Sequence, residues 1–438
     1  KRLVADGAPA VIAALEALGC PFDREPDGRL ALGLEAAHSR ARIVHAAGDA
    51  TGRAVQETLM RAAAATPSIE IREGLAVAGL AEAGGFSEAG GRIAGVRLAD
   101  GTILSARAVV LATGGLGALY RSTTNPLGAT GRGLAMAARA GAVLRDMEFV
   151  QFHPTAIAAA ADPMPLATEA LRGAGAILVD ETGRRFMEDV PGRELAPRDV
   201  VARAIHAELS AGRTVFLDAR PALGARFAEC FPSVFALCRQ AGVNPLAQAI
   251  PVRPAAHYHM GGIAVDAAGR SSLAGLWALG EVASTGLHGA NRLASNSLIE
   301  AMVFSGRIAA DILGESGSLR PRPLSGPVAA GPSADGALLR ATMEAEVGVV
   351  RAAAGLDAAI ARLAPFALTD DRALVALFVA ASARLRQESR GGHFRADFPQ
   401  TAETGVSSLT TLDRLMEVTT GMVRPPSSFE TALRASSG

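Results

Sequence analysis

Aromatic residues are scarce, with one Trp, two Tyr and 15 Phe making up 4% of 438 residues. That excludes a platform built to stack sugars or nucleic-acid bases and leaves the cores to Ala, Val and Leu. An excess of either charge is also missing. The 43 basic residues balance 43 acidic ones, so the chain has no means of collecting phosphates along a nucleic acid. Cysteines are few: Cys20, Cys230 and Cys238 form no CxxC, which excludes a zinc knuckle, and their odd number argues against a disulfide framework. They read as three small buried hydrophobes in a reducing, cytoplasmic compartment. No stretch reaches the roughly 18 apolar residues of a membrane span; the best candidate, Gly133 to Leu144, is broken by Arg139. Lys1-Arg2-Leu3-Val4 has the basic look of a signal peptide's start, but Asp6 and Glu16 interrupt the apolar stretch behind it. The chain does not begin with Met, and the expectation is that its natural beginning lies upstream.

What is plentiful points to class. Hydrophobic residues make up 49% and glycines number 48, which suits an α/β protein of about two to three domains. Residues 10–19 and 50–64 carry apolar residues at helical spacing. From Arg92 the period becomes two: Arg92 to Leu98 alternates, Asp100-Gly101 supplies a turn and a second run starts at Ile103, which predicts a hairpin. Val109-Val110-Leu111 ahead of Thr113-Gly114-Gly115 predicts a strand buried on both faces of a parallel sheet. Gly275 to Glu281 predicts another buried strand. Helices are predicted from about Gly133 to Ala140, from Pro197 to Ser210 and from Ser297 to Leu313. Ile177-Leu178-Val179, a turn at Glu181-Thr182-Gly183 and Phe186 predict a second small sheet. The stretch 314–336 reads as a linker, and 337–390 as helical.

Four segments hold polar residues that packing does not obviously require. Gln151 to Thr155 places His153 between Phe and Pro, by default a structural histidine. Thr168-Glu169 and Arg172 are followed by Glu194 to Asp199, in which Arg198 falls in the first turn of a helix. A cation there opposes the helix dipole, so it either meets an anion or pairs with Glu194 or Asp199. Pro254 to Gly262 carries His257 and His259. Last, Gly280-Glu281, His288 to Arg292 and Ser295 to Leu298 join a Gly-Glu turn, a loop and a helix start within about 18 residues. Such a start offers free N–H groups, and Arg292 beside it has the planar fork that clamps a carboxylate. Together these residues suggest a small dianionic substrate beside a cofactor. They do not name the cofactor, since no GxGxxG follows any strand.

The runs Val109–Gly115, Thr124–Pro126 with Ala129–Gly131, Glu148–Ala156, Thr168–Gly175, Glu194–Ile205, Pro254–Tyr258, Gly280–Glu300 and Glu388–Phe394 resemble the L-aspartate oxidase family. This is a branch of the succinate dehydrogenase/fumarate reductase flavoprotein superfamily. His38-Ser39-Arg40 with His45-Ala46-Ala47 is similar to that branch in particular. The resemblance implies an α/β, Rossmann-like FAD-binding domain over 1–146 and 259–325. It also implies an inserted α+β capping domain over 147–258 and a C-terminal helical domain over 330–438. It implies non-covalent FAD, oxidation of L-aspartate to iminoaspartate, reoxidation by oxygen or fumarate, and transfer of the product toward quinolinate synthase and NAD. No metal, nucleic-acid or membrane partner is implied. Residue by residue, it makes Arg198 the proton-transfer arginine and gives the substrate carboxylates to His153, His257 and Arg292. Thr168 and Glu169 line the same site, and Glu35 meets the substrate ammonium. Glu281 meets the ribityl chain of FAD, Ser297 and Leu298 the flavin edge, and Thr113 and Gly114 the cofactor.

Arginine is an awkward base, because its pKa exceeds about 12; the alternative is that Arg198 stays cationic and only orients. Two features depart from the family. Its N-terminal strand–GxGxxG–helix is not in this sequence, and Thr130-Gly131-Arg132-Gly133 has Arg132 where the family has an acid near the flavin. The rival readings are a succinate dehydrogenase/fumarate reductase flavoprotein subunit and a non-catalytic remnant.

Overall fold

The computed structural model describes residues 1–34, 38, 40–83, 91–314, 321–323 and 332–420. Two short apolar runs far apart in sequence, Val109–Leu111 and Leu276–Ala278, pair in parallel, Val110 opposite Trp277. Trp277 is buried and its Nε1 donates to Asp311 on the Asn296–Gly314 helix at 2.9 Å, which ties sheet to helix. The strand at 109 is covered on one face only. Val109 and Leu111 are buried but Val110 is 38% exposed, so burial on both faces is corrected: among the described residues its sole ladder partner is the 276 strand.

The predicted hairpin forms from Ile93–Leu98 and Ile103–Ser105. Gly101 sits at φ +90° and Asp100 accepts from Thr102 N at 2.9 Å, the turn chemistry that the sequence offered. Two further strands, Val77–Ala83 and Pro321–Pro323, extend it.

The chain leaves this α/β unit to build an antiparallel sheet in the order Val150–Ile157, Ile250–His259, Val215–Asp218, Ile177–Asp180. This α+β unit has its own core, with Leu178, Ile205, Leu217 and Val252 among its members. The expected return of the chain through Phe186 does not occur. The Asp180 carboxylate accepts from Thr182 N, Thr182 Oγ1 and Arg184 N, which closes a tight local turn, and the strand pairs with Val215–Asp218 instead.

The first two strands of that sheet position the site. All eight residues of Val150–Ile157 are buried. Opposite them, Ala256 pairs with Phe152 and Tyr258 with Gln151, leaving His257 as the extra residue of a bulge. A bulge re-aims a side chain, here bringing His257 beside His153. The helix Arg198–Ser210 packs on the same strand.

Beyond the second unit lie the helices Gly336–Glu346, Ala353–Leu363, Asp371–Leu385 and Leu412–Thr419. Residues 373–383 of the third are all buried, as expected of a helix that is apolar all round. The C-terminal part is not purely helical, since Leu409–Thr410 pairs with Leu144–Arg145. Buried charges seal that junction: Arg386 bridges Glu148 at 2.5 Å and Glu388 at 2.7 Å, while Asp146 accepts from Ser408 N at 2.8 Å. Of the predicted linker, 315–320 and 324–331 lie outside the described residues.

Candidate active site

A cavity of about 1200 Å³ opens between the two units, lined by His153, Thr168, Glu169, Arg198, His257 and Arg292. Sequence reasoning named all six, and the fold draws them together from five separate segments. A cavity of this size exceeds what a four-carbon diacid fills, since roughly 300–1,000 Å³ already accommodates a drug-sized ligand.

The two histidines meet edge to face, with ring centroids 5.0 Å apart. The backbone N–H of Thr155 donates to His153 Nδ1 at 3.3 Å, which makes that nitrogen the acceptor and puts the ring proton on Nε2. His153 is fully buried, and its Nε2 has no hydrogen-bond partner among the described residues. A buried donor in that state calls for a ligand. His257 is held by Thr124, whose hydroxyl lies 2.8 Å from Nδ1. Burial, and after it the positive charge of Arg198, pushes both histidines well below their ordinary pKa, so both are neutral in the free site.

Arg198 pairs with neither Glu194 nor Asp199. Its Nε and Nη2 both reach Glu169 Oε2, at 2.7 and 2.5 Å, and its Nη1 donates to Gln151 Oε1 at 3.0 Å. Glu194 is occupied by Arg185, at 2.9 and 2.6 Å, and Asp199 pairs with Arg203 at 2.9 Å. The other oxygen of Glu169 lies 3.3 Å from Arg172 Nη2. Arg172 is itself buried, and burial lowers its pKa. Thr168 caps the short helix that carries Glu169 and Arg172.

Arg292 packs its guanidinium 4.9 Å from the centre of the Tyr258 ring and donates to Ser297 Oγ at 2.5 Å. Its loop is anchored by His288, whose Nε2 lies 2.8 Å from Glu300 Oε2. Leu298, half exposed, lines the cavity in the first turn of the Asn296–Gly314 helix. Gln151 meets both arginines, Nη1 of Arg198 and the carbonyl of Arg292, and Asn291 in turn bonds Gln151 and Asp199.

Thr113, Gly114 and Glu281 do not line the cavity. They cluster past the carboxyl ends of the two parallel strands, the usual ligand crevice of such sheets. The Glu281 carboxylate accepts from His259 N at 2.8 Å and lies against Gly115, where a Cβ would come within 2.2 Å of it. Burial pushes the Glu281 carboxyl up to about 7. Arg132 lies at the opening of the next helix, its Nε 3.9 Å from Asp371. Glu35 lies outside the described residues. Cys20 and Cys238 are buried as expected, but Cys230 is exposed, a correction, since it faces the cavity rather than a core. Among the described residues, no group of three or more His, Cys, Asp or Glu is placed to hold a metal ion, and no helix is long and apolar enough to cross a membrane.

Residues 1–298 match the family described as an FAD binding domain, and residues 366–419 match the fumarate reductase flavoprotein C-terminal family. An L-aspartate oxidase of Mesorhizobium japonicum is 52% identical over 420 residues, covering 94% of this chain and 80% of the relative. One from Agrobacterium fabrum is 52% identical over 412 residues, covering 91% and 77%. The chain belongs to the L-aspartate oxidase family. Among solved structures, an E. coli quinol fumarate reductase superposes with a TM-score of 0.82 at 29% identity, over 93% of this chain and 80% of that one.

FAD is therefore the cofactor of this L-aspartate oxidase family member, and the residues present suit it. The cavity exceeds the substrate, Glu281 offers a half-buried carboxyl over a glycine that admits no side chain, and the Asn296–Gly314 helix begins at the cavity wall.

Proposed function

We propose that this chain oxidises L-aspartate to iminoaspartate, the first step of de novo NAD synthesis, using non-covalent FAD. The single observation that carries the reading is the set of His153, His257, Arg198 and Arg292 around one cavity, in a chain half identical to L-aspartate oxidases. When bound, FAD supplies the two-electron acceptor for hydride released from C2 of the substrate, and passes the electrons to oxygen or fumarate. Glu281, Thr113, Gly114, Ser297 and Leu298 would hold it. Residues 1–146 and 259–325 would form its domain, 147–258 the cap over it and 330–438 the helical domain.

The chain's own residues bind and orient. His153 donates its Nε2–H to one substrate carboxylate, and His257 and Arg292 take the other. His257 gains a reason to protonate when the dicarboxylate arrives, whereas His153 donates from Nε2 in its neutral form. As the C2 hydrogen leaves as hydride, the substrate nitrogen releases a proton to water and the electron pair so freed forms the C2=N bond. In the separate half-reaction in which fumarate reoxidises the reduced cofactor, Arg198 would supply the proton to the alkene carbon opposite the one that takes hydride, leaving succinate. Glu169 accepts two of Arg198's N–H groups and returns the proton. Iminoaspartate passes to quinolinate synthase, in the cytoplasm.

Glu35 is assigned to the substrate ammonium. Succinate has no such group, so Glu35→Gln separates this reading from a succinate dehydrogenase or fumarate reductase subunit. L-aspartate oxidation should fall about tenfold or more, a factor of ten per ~1.4 kcal/mol lost, while fumarate reduction changes little. Steady-state rates with both substrates on one purified variant decide it, and an equal loss in both removes the assignment.

A further inference from the structure

Two amides, the buried Gln151 and the partly buried Asn291, connect Asp199 to Arg198, and the chain they form has only one possible polarity. The Asp199 carboxylate offers only acceptors, so Asn291 Nδ2 donates to it, at 2.7 Å. That turns Asn291 Oδ1 toward Gln151, whose Nε2 donates to it at 2.8 Å and to the Arg292 carbonyl at 2.7 Å. Gln151 Oε1 then meets Nη1 of Arg198 at 3.0 Å, and a guanidinium offers only donors. Reversing Asn291 sets oxygen against oxygen at Asp199; reversing Gln151 sets donor against donor at Arg198. Gln151 is fully buried, so water does not offset such a reversal.

The loop cannot move away from this chain. A Cβ on Gly391 would lie 2.3 Å from Ala290 O and 3.0 Å from Asn291 Cβ, and one on Gly392 would lie 2.6 Å from Val150 O. Gly392 N also donates to Ala290 O at 2.8 Å. The glycine turn at 391–392 thus presses, backbone against backbone, on the residues just before Gln151 and beside Asn291. Arg203, the ion-pair partner of Asp199, reaches Gly391 O at 3.3 Å, closing the far side.

We propose that Asn291 is a positioning residue for the redox reaction. Through Gln151 it sets the plane of the Arg198 guanidinium, and through the same Gln151 amide it holds the backbone of Arg292. The proton-transfer arginine and the carboxylate clamp therefore keep a fixed relation, although no ion pair joins them. This rests on the roles assigned to Arg198 and Arg292 above.

The test uses the flavin-bound, full-length enzyme, with kcat and KM for L-aspartate measured across pH. Asn291→Asp leaves an acceptor for Gln151 but sets a carboxylate against Asp199. At neutral and higher pH, kcat should fall roughly 10–100-fold. The loss should shrink as pH falls, because a protonated Asp at 291 donates to Asp199 as the amide did. Asp199→Asn alone should be mild, since an amide oxygen still accepts from Asn291. The double variant N291D/D199N lets the new Asn at 199 donate to the new Asp at 291, and kcat should return to within about fivefold of wild type, a coupling that a double-mutant cycle reads directly.

Wild-type kcat in N291D, or a loss equal at every pH that the double variant does not relieve, overturns the proposal. If N291D alone does not fold, the double variant decides: a folded but inactive double variant also overturns it. Arg198→Leu is the control for the underlying reading and should cost at least about 10²-fold with flavin retained. A variant keeping more than a tenth of turnover removes Arg198 from proton transfer, whatever the Asn291 series gives.

Discussion

At the scale of single residues, the site works by fixing which atoms donate. His153 cannot present a lone pair to substrate, because Thr155 N–H already occupies Nδ1. Arg292 is braced by Tyr258 and Ser297, which leaves its fork oriented for a carboxylate. Arg292→Ala should therefore raise KM for L-aspartate and weaken succinate inhibition in parallel. A charge-assisted bidentate pair contributes on the order of 1.5–3 kcal/mol, roughly 10–100-fold in each constant. Unchanged succinate affinity would mean that Arg292 is not the clamp. The residues proposed to meet substrate were singled out in the sequence, an arginine in a helix first turn and a histidine between Phe and Pro, but their roles came only from the family resemblance. Gln151 and Asn291 had no role legible in the sequence, because an amide announces nothing until its partners are known, and those partners come from three segments.

At the scale of elements, the junction at 144–150 with 386–410 carries a titratable weakness. Asp146 is buried beside Glu148, and burial first, then that neighbouring charge, pushes its carboxyl up to about 6. Between its ordinary value of 3.8 and about 6, the folded state holds a proton that the unfolded state does not. Its contribution is thus fully present below the lower value and is lost as pH rises through the upper one, on the order of 2–3 kcal/mol. Asp146→Asn should flatten the fall in melting temperature over that window. Thermal melts of both proteins from pH 4 to 7 check this, and identical slopes would refute it. Elements with local signals were readable: the Asp100-Gly101 hairpin, the helix after Pro197, the apolar runs at 109 and 276. The partners of Ile177–Asp180 and of Leu409–Thr410 were not, since each is chosen by residues far away in sequence. The bulge that exposes His257 to the cavity is likewise a property of two strands together.

At the scale of the molecule, one cavity collects side chains from both units, and the C-terminal part presses on the loop behind it through Gly391 and Gly392. The contacts of the C-terminal part were not legible in the sequence: nothing in Glu388–Phe394 by itself points at Asn291. Arg132, a departure from the family, lies beside Asp371 of the helical part, and the site residues downstream of it remain assembled. The central claim is that this assembly is an L-aspartate-oxidising flavoenzyme. The most direct test is the absorbance of the flavin-bound enzyme near ~450 nm, recorded without oxygen before and after L-aspartate is added. The band should bleach with L-aspartate and return when fumarate or oxygen is admitted. A band that stays unchanged with L-aspartate but bleaches with succinate would contradict the account.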